Sequence, residues 1–101
     1  MAVKKVTKSE FEEIRNEDKL AIVDFYADWC GPCKVLTINL EKAGIIYTSV
    51  NADTEEDLCI HYNVRNLPTF IAIDKEEKEI ARFTGIKSPD GIKQWIDSLN
   101  G

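Results

Sequence analysis

The run Leu20-Ala21-Ile22-Val23-Asp24-Phe25-Tyr26 constrains this chain more than any other feature. It is apolar almost without interruption and is bounded by charge. Such a run predicts a strand buried on both faces, at the centre of a sheet that helices cover. Asp24 is the anomaly inside it, because a carboxylate placed there loses its water. Just beyond the run comes Trp29-Cys30-Gly31-Pro32-Cys33-Lys34, and then Val35, Leu36, Ile38 and Leu40 fit a helix that stops at Gly44.

The remaining segments fall into strands and helices in alternation. Ala2 to Val6 reads as a short first strand. Ser9 with Glu12 three positions on is a capping box for a helix carrying Phe11 and Ile14 inward. Ile45 to Val50 predicts a second buried strand, and Asp53 and Thr54 offer N-caps for a short helix through Tyr62. Thr69 to Ile73 and Glu79 to Phe83, joined by a polar turn at Lys75 to Glu77, read as a hairpin. Ser88 as N-cap and Pro89 at the first position open a last helix, on which Ile92, Trp95, Ile96 and Leu99 form one apolar face. The order βαβαβαββα implies an α/β fold with a mixed sheet: parallel pairing through crossovers, an antiparallel flank, and helices on both faces. In such sheets the ligand site lies beyond the carboxyl ends of the parallel strands, where the cysteine pair falls.

With 101 residues, the chain is expected to form one domain, residues 1–101. Its net charge is −5, with 13 Lys and Arg scattered singly or in pairs, so it lacks the basic stripe of a nucleic-acid binder. Met1 to Lys8 contain no apolar core of the kind a signal peptide needs, and no stretch is long enough for a membrane span. The expected location is the cytoplasm. Three cysteines cannot all pair within the chain, unlike the even set of a secreted disulfide scaffold.

A Cys-x-x-Cys turn at a helix N-terminus brings two sulfurs within disulfide reach. The first sulfur is expected to face outward over free backbone N–H groups, which with the helix dipole favour its thiolate. Thiolate is the attacking form in exchange. Cys33, one turn inside, is expected to be the more buried and to resolve the mixed disulfide. Pro32 suits an early helical position because it has no N–H to leave unpaired. Two other readings stand beside this one. The pair could be half of a zinc site, but the remaining soft donors, Cys59 and His61, point to different faces of their helix, so no metal is expected. It could also be inert core, for which Gly31-Pro32 is poor sequence.

Trp29-Cys30-Gly31-Pro32-Cys33-Lys34 resembles the active-site signature of thioredoxins. Val23-Asp24-Phe25-Tyr26-Ala27-Asp28 is similar to the family's preceding strand with its buried acid. Tyr62 to Phe70 resembles the segment carrying its cis-proline, and Thr84-Gly85-Ile86 its glycine turn. The resemblance implies the thioredoxin fold and protein-disulfide reductase activity, with Cys30 as nucleophile, Cys33 as resolving thiol and a redox disulfide between them. Asp24 would exchange protons with Cys33; the other reading is an ordinary hydrogen-bonded core acid. Trp29 would shield the centre. Pro68 would hold a cis bond beside Cys30, or else open its strand in trans. Leu67, Gly85 and Ile86 would form a groove for an extended target segment, with Gly31 and Pro32 completing the substrate-facing surface. Gly85 could equally serve a turn alone.

The resemblance implies no cofactor in the chain itself. It implies disulfide-containing target proteins as partners and a thioredoxin reductase as electron donor, flavin-dependent by default and ferredoxin-linked as the alternative, with the protein acting as a monomer. Three positions depart from the family pattern. Ile38 stands where a helix-kinking proline is usual, the stretch after Cys33 is short, and Ser49 stands where a lysine often neighbours the acid. Cys59 and His61 match no family role and read as surface or half-buried filler. The competing functions are an oxidase or isomerase of the same chemistry, and a binding subunit or folding scaffold that uses the groove without turnover.

Overall fold

The apolar run does form the middle of a sheet. A computed structural model of the chain describes residues 3–5, 20–45, 47–74, 76 and 78–100. Its elements are β1 (Val3–Lys5), β2 (Ala21–Tyr26), α1 (Gly31–Ala43), β3 (Tyr47–Asn51), α2 (Glu56–His61), β4 (Thr69–Ile73), β5 (Glu79–Thr84) and α3 (Pro89–Asn100). The strands lie in the order β1-β3-β2-β4-β5. β3 runs parallel to both β1 and β2, while β4 runs antiparallel to β2 and β5. The helix expected after Ser9 lies outside the described residues, as do Lys75 and Glu77 of the hairpin turn. The turn is nonetheless tied by Asp74, whose Oδ1 accepts from the N–H groups of Glu76 and Lys78, both at 2.9 Å.

Alternation along β2 assigns its two faces. Ala21, Val23 and Phe25 join Val50, Ile71 and Ile73 in a core covered by Leu58 and Tyr62 of the α2 segment. Ile22 packs on the opposite side with Leu36 and Leu40 of α1, Tyr47, Phe70 and Ile92 of α3. Asp24 shares that second face by its position in the strand. Trp95 closes the same side: its ring lies 5.5 Å from Phe70 and 5.1 Å from Phe83, the latter contact edge-on, a favoured aromatic geometry. Helices therefore cover both faces, as expected.

Local differences from the sequence reading have simple causes. In α1 the buried stripe is Cys33, Leu36 and Leu40, and Val35 and Ile38 stand off it and are exposed. They lie about 100° and 200° around the helix from Leu36, so they cannot share its face. The third strand is described from Tyr47, with residue 46 outside the described residues, and Ile45 packs against the α1/α3 core from outside the strand. α2 starts at Glu56 without a side-chain cap, and neither Asp53 nor Thr54 serves as its N-cap. Asn51 instead organises that turn, its Oδ1 accepting from Asp53 N–H at 2.9 Å and its carbonyl from Thr54 N–H at 3.2 Å. A register shift interrupts the β4–β5 ladder at Ala72/Ile73.

The helix ends behave as read. Gly44 ends α1 in the left-handed region at φ 71°. Ser88 Oγ accepts from Gly91 N–H at 3.0 Å, and its carbonyl accepts from Ile92 N–H. Ser88→Ala is expected to cost about 1 kcal/mol, and Ser88→Gly only a few tenths, because glycine leaves the cap backbone free to adopt its conformation. Urea unfolding of the two variants beside wild type checks the order.

Candidate active site

Three segments converge beyond the carboxyl end of β2. The first is the turn from β2 into α1. Cys30 is the N-cap of α1, with its own N–H bonded to Ala27 carbonyl at 3.1 Å and its Sγ accepting from Cys33 N–H at 3.2 Å. The two cysteines form a disulfide with Cα atoms 5.3 Å apart, within the ordinary range for such a bridge. Cys30 thus sits where an orphan N–H of the helix start needs an acceptor, and a sulfur bearing negative charge would satisfy it better than a neutral one. The second segment is Leu67-Pro68, joined by a cis peptide bond; Leu67 packs with Tyr26 on the cluster of Ala27, Cys30 and Cys33. The third is Gly85, at φ 83°, whose N–H donates to Pro68 carbonyl at 3.0 Å. The side where a Cβ would project from Gly85 is open space.

Exposure does not separate the two sulfurs as expected. In the disulfide both cysteines are buried, Cys30 at 4% and Cys33 at 2% relative accessibility. The difference lies in their flanks. Cys30 has exposed Trp29 and Gly31 on either side, whereas Cys33 lies in the first turn of α1 on its buried stripe. Trp29 itself is 72% exposed, and its Nε1–H donates to Asp53 Oδ2 at 3.0 Å. Trp29, Asp53, Leu67 and Asn66 line one cleft of about 460 Å³, so the strand-end turn and the cis-proline segment share a surface. Ile86 is exposed one residue beyond Gly85, and Gly31 and Pro32 are exposed at the helix start.

Behind the cysteines the site becomes polar. Asp24 pairs in register with Ser49 on β3 and with Phe70 on β4, is fully buried, and has no hydrogen bond to either carboxyl oxygen. Burial pushes its pKa up to about 7. Ser49 shares a cleft of about 220 Å³ with Cys33, Lys34, Thr37, Tyr26 and Asp28. Tyr47 is also buried on this side with an unpaired hydroxyl. Asp53, Tyr47 and Thr37 are site residues that the sequence reading did not single out. Asp53 has the side chain and the place of a helix cap, and its partner Trp29 is 24 residues away in sequence, so no local pattern points to their bond.

His61 does not join the centre, and Cys59 touches it only as part of the wall of the cleft that Trp29, Asp53 and Leu67 line. Cys59 is half-buried against the α2-side core, where burial first and then Glu56 and its neighbouring carboxylates push its thiol pKa up. His61 is exposed and stacks edge-on with Tyr62. Among the described residues no group of three or more His, Cys, Asp or Glu could hold a metal.

Residues 2–98 match the family model described as Thioredoxin. The chain belongs to the thioredoxin family. It is 35% identical over 96 residues to mitochondrial thioredoxin of Mus musculus, covering 89% of this chain and 57% of that one. It is 36% identical over 101 residues to a putative protein disulfide-isomerase of Schizosaccharomyces pombe, covering 93% of this chain but 20% of the other. Among solved structures it resembles the oxidised thioredoxin of Plasmodium falciparum, at TM-score 0.82 and 29% identity, over 99% of this chain and 100% of that one. The chain spans about half the length of the first curated thioredoxins it matches. With these likenesses the mixed sheet is a thioredoxin fold and the Cys30–Cys33 disulfide a thioredoxin-type redox centre.

The raised pKa of Asp24 makes stability depend on pH. In the unfolded chain the group ionises near 3.8, and in the folded protein near 7. Between these values the folded state holds the extra proton, so this contribution falls as pH rises through the window and is level above it. The full span is on the order of 4 kcal/mol. Oxidised Asp24→Asn is expected to lose this slope and to exceed wild type in stability above neutral pH. Urea unfolding of both oxidised proteins across that window measures it.

Proposed function

We propose that this protein is a protein-disulfide reductase working by dithiol/disulfide exchange. The observation that carries the reading is the Cys30–Cys33 disulfide at the start of α1, with Cys30 Sγ already accepting a helix N–H. In the reduced protein that donor and the helix dipole favour a Cys30 thiolate. The thiolate attacks one sulfur of a target disulfide, and the other leaves as a thiolate. Cys33 then passes its proton to Asp24 and attacks Cys30 Sγ, which releases the target sulfur bonded to Cys30 as a thiolate and re-forms the Cys30–Cys33 bond. The target has gained two electrons, and a reductase must return two to this chain.

Leu67 and Gly85 support the groove half of the reading. Leu67 is packed on the cysteine cluster, and Gly85 leaves open space beside the carbonyl of Pro68. A target segment laid there would reach Cys30 between Trp29, Pro68 and Ile86. Gly31 and Pro32 bring no cation between the cysteines. The thiolate therefore lacks the extra stabilisation that makes a dithiol strongly oxidising, which favours reduction over oxidation or isomerisation. A free Cys59 beside a dithiol suits a reducing compartment, for which we take the cytoplasm. The electron donor of this reading is a flavin-dependent thioredoxin reductase, with a ferredoxin-linked one as the alternative, and the working form is a monomer.

Insulin reduction with dithiothreitol, followed by turbidity, tests the activity: catalysis by wild type and its absence in Cys30→Ser are expected. A wild type that binds reduced and oxidised targets without turnover would make the domain a scaffold. Titration against glutathione separates reductase from oxidase, since about 30 mV shifts this two-electron equilibrium by about 1.4 kcal/mol. Cys33→Ser is expected to attack targets and then accumulate mixed disulfides. In the reduced protein iodoacetamide at neutral pH should label Cys30 first, ahead of Cys33 and of Cys59 with its raised pKa; mass spectrometry of the labelled peptides gives the order.

A further inference from the structure

The layer between the sheet and α1 buries a polar group that the exchange reaction above does not use. Asp24 and Tyr47 are both buried there, and neither the carboxyl oxygens nor the phenol hydroxyl has a hydrogen-bond partner. Orphaned polar groups in one layer are costly unless another state of the protein pairs them. Their placement brings them together. Tyr47 lies two residues before Ser49, the register partner of Asp24 on β3. Its ring centroid lies 6.3 Å from that of Phe70, the register partner of Asp24 on β4, so the two rings, rooted on the strands that flank β2, meet across the strand that carries the acid. Ser49 and Thr37 stand near the hydroxyl without meeting hydrogen-bond geometry.

We infer that Tyr47 is a positioning residue for the resolving step, its hydroxyl donating to the ionised Asp24 carboxylate and so keeping that acid able to take the Cys33 proton at neutral pH. The inference rests on the reading of Asp24 as proton acceptor. In the step, Cys33 S–H gives its proton to the carboxylate, and the sulfur's electron pair forms the bond to Cys30 Sγ. The bond from Cys30 to the target breaks, and its pair leaves with the target thiolate. The proton then passes from Asp24 toward the cleft that Cys33, Thr37 and Ser49 line. Tyr47 keeps its own proton throughout. Burial, with Asp24 and Glu41 nearby, pushes its pKa up to about 12, so it lends a hydrogen bond and no charge.

Among the described residues the charged and titratable groups facing this layer are few. α1 supplies Cys33, Lys34 and Glu41, the end of β2 supplies Tyr26 and Asp28, and β3 supplies Tyr47. β4 and α3 bring Phe70, Ile92 and Trp95. Burial is the cause that raises Asp24, and among the described residues no cation, Lys34 included, figures as lowering it. Where a neutral hydroxyl is the available donor, its removal is felt in full.

The test is Tyr47→Phe, which keeps the ring on Phe70 and removes one orphaned hydroxyl. Carbon-13 NMR titration of the Asp24 carboxyl in the oxidised protein is expected to move its midpoint up by about one pH unit, the size of a hydrogen bond to a charged group. In single-turnover assays the pH limb of target release should move with it, while attack by Cys30 keeps its wild-type rate. Coincident Asp24 midpoints in the two proteins would overturn the inference. Asp24→Asn keeps the two readings apart. If release retains its pH limb in Asp24→Asn, the acid is not the acceptor and both readings fall. If Asp24→Asn abolishes the limb while Tyr47→Phe leaves it unmoved, the Tyr47 assignment alone falls.

Discussion

β2 is hydrogen-bonded on both sides, to β3 in parallel and β4 antiparallel, and both its faces lie under helices. A strand held this way cannot slide, because a one-residue shift would exchange its two faces. Its end is consequently a fixed point, and the chain leaves it into a turn whose length is set by Cys30 N–H bonding back to Ala27. The start of α1, the sulfur that caps it and the proline segment on the neighbouring strand all take their positions from that point. A redox centre needs its sulfurs placed to fractions of an ångström, and here the precision comes from the sheet and not from the loop.

The same central strand carries the cost. Asp24 occupies a position where an aliphatic residue would stabilise the sheet, and its two oxygens go unpaired. A group kept neutral by burial can hold a proton that an exposed acid would have given up. Stability is thus exchanged for a carboxyl that changes charge near neutrality, the property required of the proton acceptor proposed for Cys33.

Legibility from sequence followed the range of the interactions. β2, the cap at Ser88, the stop at Gly44 and the cysteine turn are written in contiguous residues, and each was found where the pattern put it. The cis state of Leu67–Pro68 came from family resemblance, since no local rule distinguishes it from a trans proline, and the hydrogen bond from Gly85 to Pro68 is visible only in the fold. What was misread depended on phase or on distant partners. Val35 and Ile38 lie in a helix as read, but apolar character alone does not say which face they take, and α1 turns them to solvent. Asp53 looked like a cap because it follows a strand, yet it holds Trp29. Tyr47 passed as one more apolar strand residue, because its hydroxyl matters only once β2 and α1 are packed around it.

The register shift at Ala72/Ile73 bears on a different matter. β5 lies at the edge of the sheet and is less buried than β2, β3 or β4, and an open edge is a template on which other strands can add. The irregular pairing twists this margin, and Arg82, bonded to Glu79 beside it and to the carbonyl of Tyr62, sets a charged pair along it. A flat, uncharged border would invite unselective strand addition and, at high concentration, precipitation. A chain proposed to admit extended segments of other proteins at one place gains from refusing them along its flank.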